Sequence, residues 1–368
     1  MPLIEGTGGH HDAELSERLA ARFTPRNDGR LGDTSDGGRP IVIFERKMFE
    51  SIQDSLERTF GPLGRRYANA MAEVEANRWS EVEWPSSLFG KWKKRVALIS
   101  GEYELRGIGS ISKATAGEEK TISARRFVRT SLLAGALTAS FEQLTECNHR
   151  MRWEDDRDDG AKIILEATDR PFFRPEEPEP TQGVNGSRPE SELIHGAGIT
   201  TDGIMMLEEI PSIILPSRFF DALIAVLESL HEEGTAAITD SRCEWDLPLP
   251  DGLDEGIRDW VWTTIATTIS DELEGDIDEL LVAEAEHWQL AINRRLARSS
   301  MCSSVNVRNF GEHGEIEIEF ASIMHPAILS GMLLALWQIA EHRIPRIKWT
   351  REEGAWVATI ESWRAIAT

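Results

Sequence analysis

Tyrosine occurs twice and cysteine three times in 368 residues, and lysine plus arginine trail the acids, 40 against 63. Cys147, Cys243 and Cys302 are widely separated with no C-x-x-C spacing, which argues against both a disulfide framework and a zinc site. The formal charge of −23 argues against a nucleic-acid partner, because phosphate binding needs concentrated Lys and Arg. The basic cluster Lys91, Lys93, Lys94 and Arg95 is short and reads as a solvated rim. No apolar run approaches the roughly 20 residues that cross a bilayer. The opening MPLIEGTGGHHDAELSERLAAR lacks the apolar stretch of a secretory leader, so a cytoplasmic protein with no membrane span is expected.

Catalytic signatures are missing too. There is no G-x-S-x-G elbow, no G-x-x-x-x-G-K-[ST] phosphate loop and no G-x-G-x-x-G after a strand. The nine histidines form neither H-x-x-x-H nor H-E-x-x-H. Glu284, Glu286 and His287 share a helix but read as an exposed face, as do Asp276, Asp278 and Glu279. The acids Glu154, Asp155, Asp156, Asp158 and Asp159 lack the alternating oxygen spacing of a calcium loop and read as a hairpin turn. No catalytic, metal or cofactor residue is assigned, and the cofactor is unknown.

What is there is length, an apolar fraction of 40% and patterning. The length suits two domains of roughly 150 residues. Residues 1–40, rich in Gly, Asp and Arg without sustained periodicity, read as a disordered segment with at most a short helix at 13–23. Residues 171–198 carry five prolines among Glu, Gly and Ser and read as a linker. Between and after them lie two α+β modules, 41–170 and 199–368.

In the first module a short apolar strand at 41–44 precedes a helix with Met48, Phe49, Ile52, Leu56 and Phe60 at helical spacing, ended by Gly61-Pro62. A second helix covers about 63–77, and 96–105 is open between strand and helix. A hairpin (108–112 and 120–124), an apolar helix (128–146) and a second hairpin (150–154 and 162–167) complete it. The second module repeats the order: strand 213–215, a helix carrying Phe219 to Leu230, a hairpin (303–308 and 315–320), an apolar helix (326–342) and a last hairpin (346–350 and 355–361). It adds a helical insertion near 253–296. The apolar stripe of that insertion, with Trp260, Trp262, Ile269 and Leu273, reads either as core or as a partner surface.

The two modules match residue by residue. With Gly135 set on Gly331 (331 − 135 = 196), Leu133 meets Leu329, Leu137 meets Leu333 and Phe141 meets Trp337. The same offset carries Arg150-Met151-Arg152-Trp153 onto Arg346-Ile347-Lys348-Trp349. A tandem duplication, forming a pseudo-dimer within one chain, is the expectation. The glycine in each L-x-G helix is expected to let another backbone approach closely, and the matched tryptophans to pack on that helix. Gly135, Phe141, Trp153, Gly331, Trp337 and Trp349 are therefore structural or ligand-pocket candidates.

The order helix, helix, hairpin, glycine-bearing helix, hairpin resembles the 4-vinyl-reductase-type domain and the related transport-particle (TRAPP) subunits. IVIFERKMFESIQDSLERTFGPLG is similar to that family's first helical segment, and SLLAGALTASFEQL and AILSGMLLALWQIA to its central helix. The family's cysteines around the final hairpin have no counterpart after Gly160 or Gly354, where Ala161-Lys162 and Ala355-Trp356 stand. The resemblance implies an α+β fold, dimer-like pairing and binding of a small molecule or a partner. The leading expectation is a non-catalytic binding or scaffold protein for a small apolar ligand or a protein. Alternatives are an acidic adaptor or immunity-type protein for a basic partner, and an enzyme without a recognisable motif.

Overall fold

Ile41, Val42, Ile43 and Phe44 are all buried, in a run too short for a helix and flanked by charge. Val42 and Phe44 join the larger hydrophobic core while Ile41 and Ile43 join a smaller one, so the two-residue period of a strand divides the run between two faces. The same holds for Ile213 and Leu215 against Ile214. In the computed structural model these segments are neighbours at the centre of a seven-stranded sheet. The structure describes residues 10–80, 82–86, 89–117, 119–155, 160–170, 172, 194, 196–200, 203–230, 242–249, 252–275, 280–311 and 313–363. It is of the α+β class, with antiparallel sheets and packed helices.

The strands of the large sheet are β1 (His10–His11), β2 (Phe23–Pro25), β3 (Leu31–Asp33), β4 (Arg39–Glu45), β9 (Ala197–Ile199), β10 (Met205–Leu207) and β11 (Ile210–Pro216). Their order is β1-β9-β10-β11-β4-β3-β2. A four-stranded sheet, order β5-β6-β8-β7, contains β5 (Ser110–Ala114), β6 (Glu119–Arg125), β7 (His149–Asp155) and β8 (Gly160–Ala167). A five-stranded sheet, order β12-β15-β16-β14-β13, contains β12 (Cys243–Trp245), β13 (Val305–Phe310), β14 (Ile316–Phe320), β15 (Pro345–Glu352) and β16 (Ala355–Ser362). Leaving out β12, which pairs in parallel with β15, the two smaller sheets have the same hairpin order. The register shifts between Ile111 and Lys113 in one and between Val307 and Asn309 in the other, positions 196 apart (111 + 196 = 307).

The helices are α1 (Ala13–Arg22), α2 (Arg46–Phe60), α3 (Gly64–Ser80), α4 (Lys91–Leu105), α5 (Thr130–Thr145), α6 (Arg218–Glu228), α7 (Glu255–Leu273), α8 (Ala285–Ile292) and α9 (Pro326–Glu341). Both apolar helices end on a left-handed residue, Glu146 after α5 and His342 after α9. Helix α5 packs on α3 and α9 on α7, while α2 reaches α7 and α3 reaches α6. One contiguous core runs from Val42 to Ile360, so residues 41–170 and 199–368 share an interior instead of each closing its own.

Several expectations need correcting. Residues 10–40 are folded, not disordered: Leu15, Leu19, Phe23 and Leu31 anchor the smaller core, and the charges that suggested solvation are paired, Arg22 with Asp33 at 2.9 Å. The linker's last two residues belong to β9, and Ile194 is fully buried; residues 173–193 of it lie outside the described residues. The segment left open at 96–105 is the C-terminal part of α4. The helical insertion is not an appendage, because Val261, Ile265, Ala266 and Ile269 of α7 are completely buried beneath α9. Trp262, Ile269 and Leu273 are thus core rather than partner surface, and Trp260 is edge-on to Phe60, 5.8 Å between ring centres. Periodicity marks an apolar face without saying whether another element covers it.

Gly135 and Gly331 do what their helices predicted. A Cβ on Gly135 would stand 2.1 Å from the Ala68 carbonyl oxygen, and one on Gly331 would stand 2.5 Å from Ile269 Cβ and 2.8 Å from the Ala266 carbonyl oxygen. Trp349 and Trp337 are fully buried and each donates its indole N–H at 2.7 Å, to Ser330 Oγ and the Gly314 carbonyl respectively. Phe141 is buried, and Trp153 is half-buried beneath the Arg65 guanidinium.

Candidate functional site

A cleft of about 280 Å³ opens beside the centre of the large sheet. Its inner wall is Ile43 of β4 and Met48 in the first turn of α2. Leu207 of β10, Leu273 at the end of α7, Leu296, Met301, and Met332 and Leu336 of α9 supply the rest of the buried apolar lining. The solvent-exposed and half-exposed lining forms a mostly polar rim, Glu45, Glu208, Arg294, Arg295, Arg298 and Ser299, with Ile210 an exposed apolar exception.

Two local features set that rim. Helix α8 continues into a single π-turn, Asn293–Ala297, a form that is rare and recurs at functional sites. The wider turn carries Arg294 and Arg295 outward and leaves Leu296 facing in, and Arg298 follows one residue after it. Asn293 Oδ1 accepts the Val305 N–H at 2.9 Å, which ties the turn to β13. On the other side, β10 and β11 are joined by only Glu208 and Glu209, with φ of 49° and 66°. Two left-handed residues in a two-residue hairpin match the right-handed strand twist, but Asn and Gly are the residues that adopt them cheaply. The Glu208 carboxylate pairs with Arg298. Arg294 and Arg295 are exposed and have no ion-pair or hydrogen-bond partner among the described residues.

The corresponding place on the other side of the sheet is filled. Ile43 N–H donates to the Ser299 carbonyl at 2.9 Å, and Ile214 N–H donates to the Arg106 carbonyl at 2.8 Å. Counting along the helices from the carbonyls that meet the two glycines, Glu75 lies seven residues after Ala68 and Leu273 seven after Ala266 (68 + 7 = 75; 266 + 7 = 273). Leu273 and Ser299 thus border open space, while Glu75 and Arg106 meet each other at 2.7 Å.

That pair belongs to a buried network. Arg78 binds Glu75 at 3.0 Å and also meets Glu102, and Arg22 bridges Asp33 and Glu102. Three guanidinium groups (Arg22, Arg78, Arg106) balance three carboxylates (Asp33, Glu75, Glu102), and Arg106 Nε donates to the Ile214 carbonyl at 3.3 Å. Burial raises the Asp33 carboxyl, but the hydrogen bond and charge of Arg22, with Arg78 and Arg106 near by, outweigh it and hold it at about 2. Burial also opposes the charge on Glu75, and Arg106 and Arg78 overcome it, leaving its pKa below the usual range. Tyr103, whose hydroxyl donates to the Ala136 carbonyl at 2.6 Å and accepts from Trp79 Nε1 at 2.8 Å, closes the network on the core side. Each charge there has an opposite charge beside it, so the network serves to lock structure. Arg78 Nε and Arg106 Nη2 are nonetheless buried without a hydrogen-bond acceptor among the described residues.

No protein-family model, curated protein or solved structure matches this chain.

Among the described residues, no three His, Cys, Asp or Glu side chains are placed to hold a metal ion, and no helix is long and apolar enough to cross a membrane. Of the residues singled out from the sequence, only Leu273 lines the cleft; Gly135, Phe141, Trp153, Gly331, Trp337 and Trp349 pack elsewhere. Met48 reads from the sequence only as part of the apolar face of its helix, and Met301, Met332 and the three arginines are not singled out, because seven separate elements and the loops between them supply the cleft. The one local signal was the pair Arg294-Arg295 inside an otherwise amphipathic helical stretch.

Proposed function

We propose that this chain is a fused pseudo-dimer that binds a small, largely apolar molecule in the cleft beside Ile43, without catalysing a reaction. The observation that carries this reading is asymmetry between matched places. Where Glu75 and Arg106 fill one side of the sheet, Leu273 and Ser299 leave the other open, lined by thioether and aliphatic groups under a mostly polar rim. Support for a duplicated origin comes from the shared hairpin order, the bulges 196 residues apart and the reciprocal hydrogen bonds of Ile43 and Ile214. The resemblance to 4-vinyl-reductase-type and TRAPP-like modules implies the same class of activity. In a tandem pair, one copy is free to lose its cavity to internal packing while the other keeps it.

The test is a thermal-shift screen of small apolar compounds against the native chain and Ser299→Trp, whose indole would enter the cleft. Compounds that stabilise the native chain should lose at least tenfold in affinity in the variant. Equal stabilisation of both would place binding elsewhere and overturn the assignment.

A further inference from the structure

Resting on that reading, we infer that the cleft's ligand is a small organic anion with an aromatic body. The chain carries a large excess of acids, so a basic rim is against its overall trend. Yet Arg294, Arg295 and Arg298 gather within five positions at this one opening. The rim's own carboxylates, Glu45 and Glu208, do not cancel them (3 − 2 = +1), and Glu208 is engaged by Arg298. That leaves Arg294 and Arg295, two planar, permanently charged forks whose geometry suits a carboxylate, sulfonate or phosphate.

The body of the ligand follows from the floor. Three of the nine methionines of the chain, Met48, Met301 and Met332, line this cleft. A thioether is polarisable, adapts its shape and makes favourable contacts with ring edges. The volume of about 280 Å³ lies just below the roughly 300–1,000 Å³ range of small-molecule pockets, which suits a small ring body and excludes a macrocycle. Because the anchor lies at the mouth and the apolar wall inside, the anion faces solvent while the ring is buried. Burying a ring costs nothing in unmet hydrogen bonds, whereas burying the charge would.

Calorimetric titration of the full chain with 2-naphthoate, its neutral alcohol 2-naphthylmethanol and decanoate separates the possibilities. Naphthoate is expected to bind at least tenfold tighter than either. Arg294→Glu/Arg295→Glu should erase naphthoate's advantage over the alcohol, with the melting temperature measured alongside to separate loss of the anchor from loss of the fold. If the alcohol binds as well as naphthoate, the anionic head is refuted and the cleft reading survives. Decanoate binding more tightly than naphthoate refutes the aromatic body. If none of the three binds, the inference and the cleft reading fall together.

Discussion

Ile43 and Ile214 face each other across the middle of the large sheet, and each sends its N–H away from the other. Ile43 bonds to Ser299 and Ile214 to Arg106, so each central strand is fastened to a segment far along the chain. The pairs around them are reciprocal: Phe44 faces Ile213, and Val42 faces Leu215. Open space borders one of these fastenings and a buried ion pair the other.

The ion pair can be tested by removing its carboxylate. Glu75→Gln leaves Arg106 and part of Arg78 buried without a counter-charge, and should cost about 3–5 kcal/mol in urea-unfolding experiments. Glu75→Leu/Arg106→Met, which makes this side of the sheet as apolar as its counterpart, should recover most of that loss. No recovery would mean that the network, rather than the space it fills, is required.

Close helix contact makes a graded prediction. Gly135→Ala drives a methyl into the Ala68 carbonyl, backbone that cannot step aside, and should lose about 1–3 kcal/mol. Gly331→Ala meets Ile269 Cβ at 2.5 Å and the Ala266 carbonyl oxygen at 2.8 Å, neither of which can rotate aside, so it too should be destabilising, by somewhat less because the approach is less close. Chemical denaturation of both variants checks the ranking.

Acid sensitivity should centre on His325. Its Nδ1 accepts the Ala327 N–H at 3.2 Å at the start of α9, and burial lowers its pKa to about 3 from the ordinary 6.5. A base whose folded pKa lies below its unfolded value stabilises the fold above the unfolded value and loses that contribution as pH falls. The window therefore runs from about pH 6.5 down to 3. His149, lowered to about 4 by burial and by Lys120 3.1 Å away, acts in the same direction. His325→Asn keeps a capping acceptor without a titrating ring, so its melting temperature should fall less between pH 7 and 4 than that of the native chain.

Thiol chemistry offers a fourth check. Cys302 is fully buried, and burial pushes its pKa up to about 12, whereas Cys147 and Cys243 are half-buried. An aromatic disulfide reagent at pH 8 should label two thiols in the native protein and the third only after denaturation. Three labelled without denaturant would mean that the segment bridging Cys302 to Ile323 opens readily.

The helices carrying Phe49 and Ile52, Leu133 and Leu137, and Leu329 and Leu333 were legible because an uninterrupted apolar face has a period that nothing else in the chain imitates. So were the four hairpins of the two smaller sheets. The large sheet was not. Its outer strands are three residues or shorter, and their stabilising groups (Arg22, Arg30, Asp33) look like solvated charge until their partners are seen. Arg30, for example, reaches Ser300 and Ser217, 270 and 187 positions away. The cleft was hidden for a related reason: Met48, Ser299 and Met332 mean nothing together until the fold assembles them. Glu75 and Leu273 could have been compared only after α7 was recognised as lying under α9 the way α3 lies under α5.

The reciprocal fastening of β4 and β11 has a consequence for cutting the chain. A nick between residues 173 and 193 would give two fragments, each ending the large sheet on a bare apolar strand, Ile41–Phe44 in one and Ile213–Leu215 in the other. Mixed together, the fragments should reassemble into the native form. Prepared alone, either one would meet a second copy of itself through the same antiparallel edge, because Ile43 and Ile214 occupy equivalent central places. Such a homodimer would carry two identical sites: both plugged by Glu75 and Arg106 in one case, both open in the other.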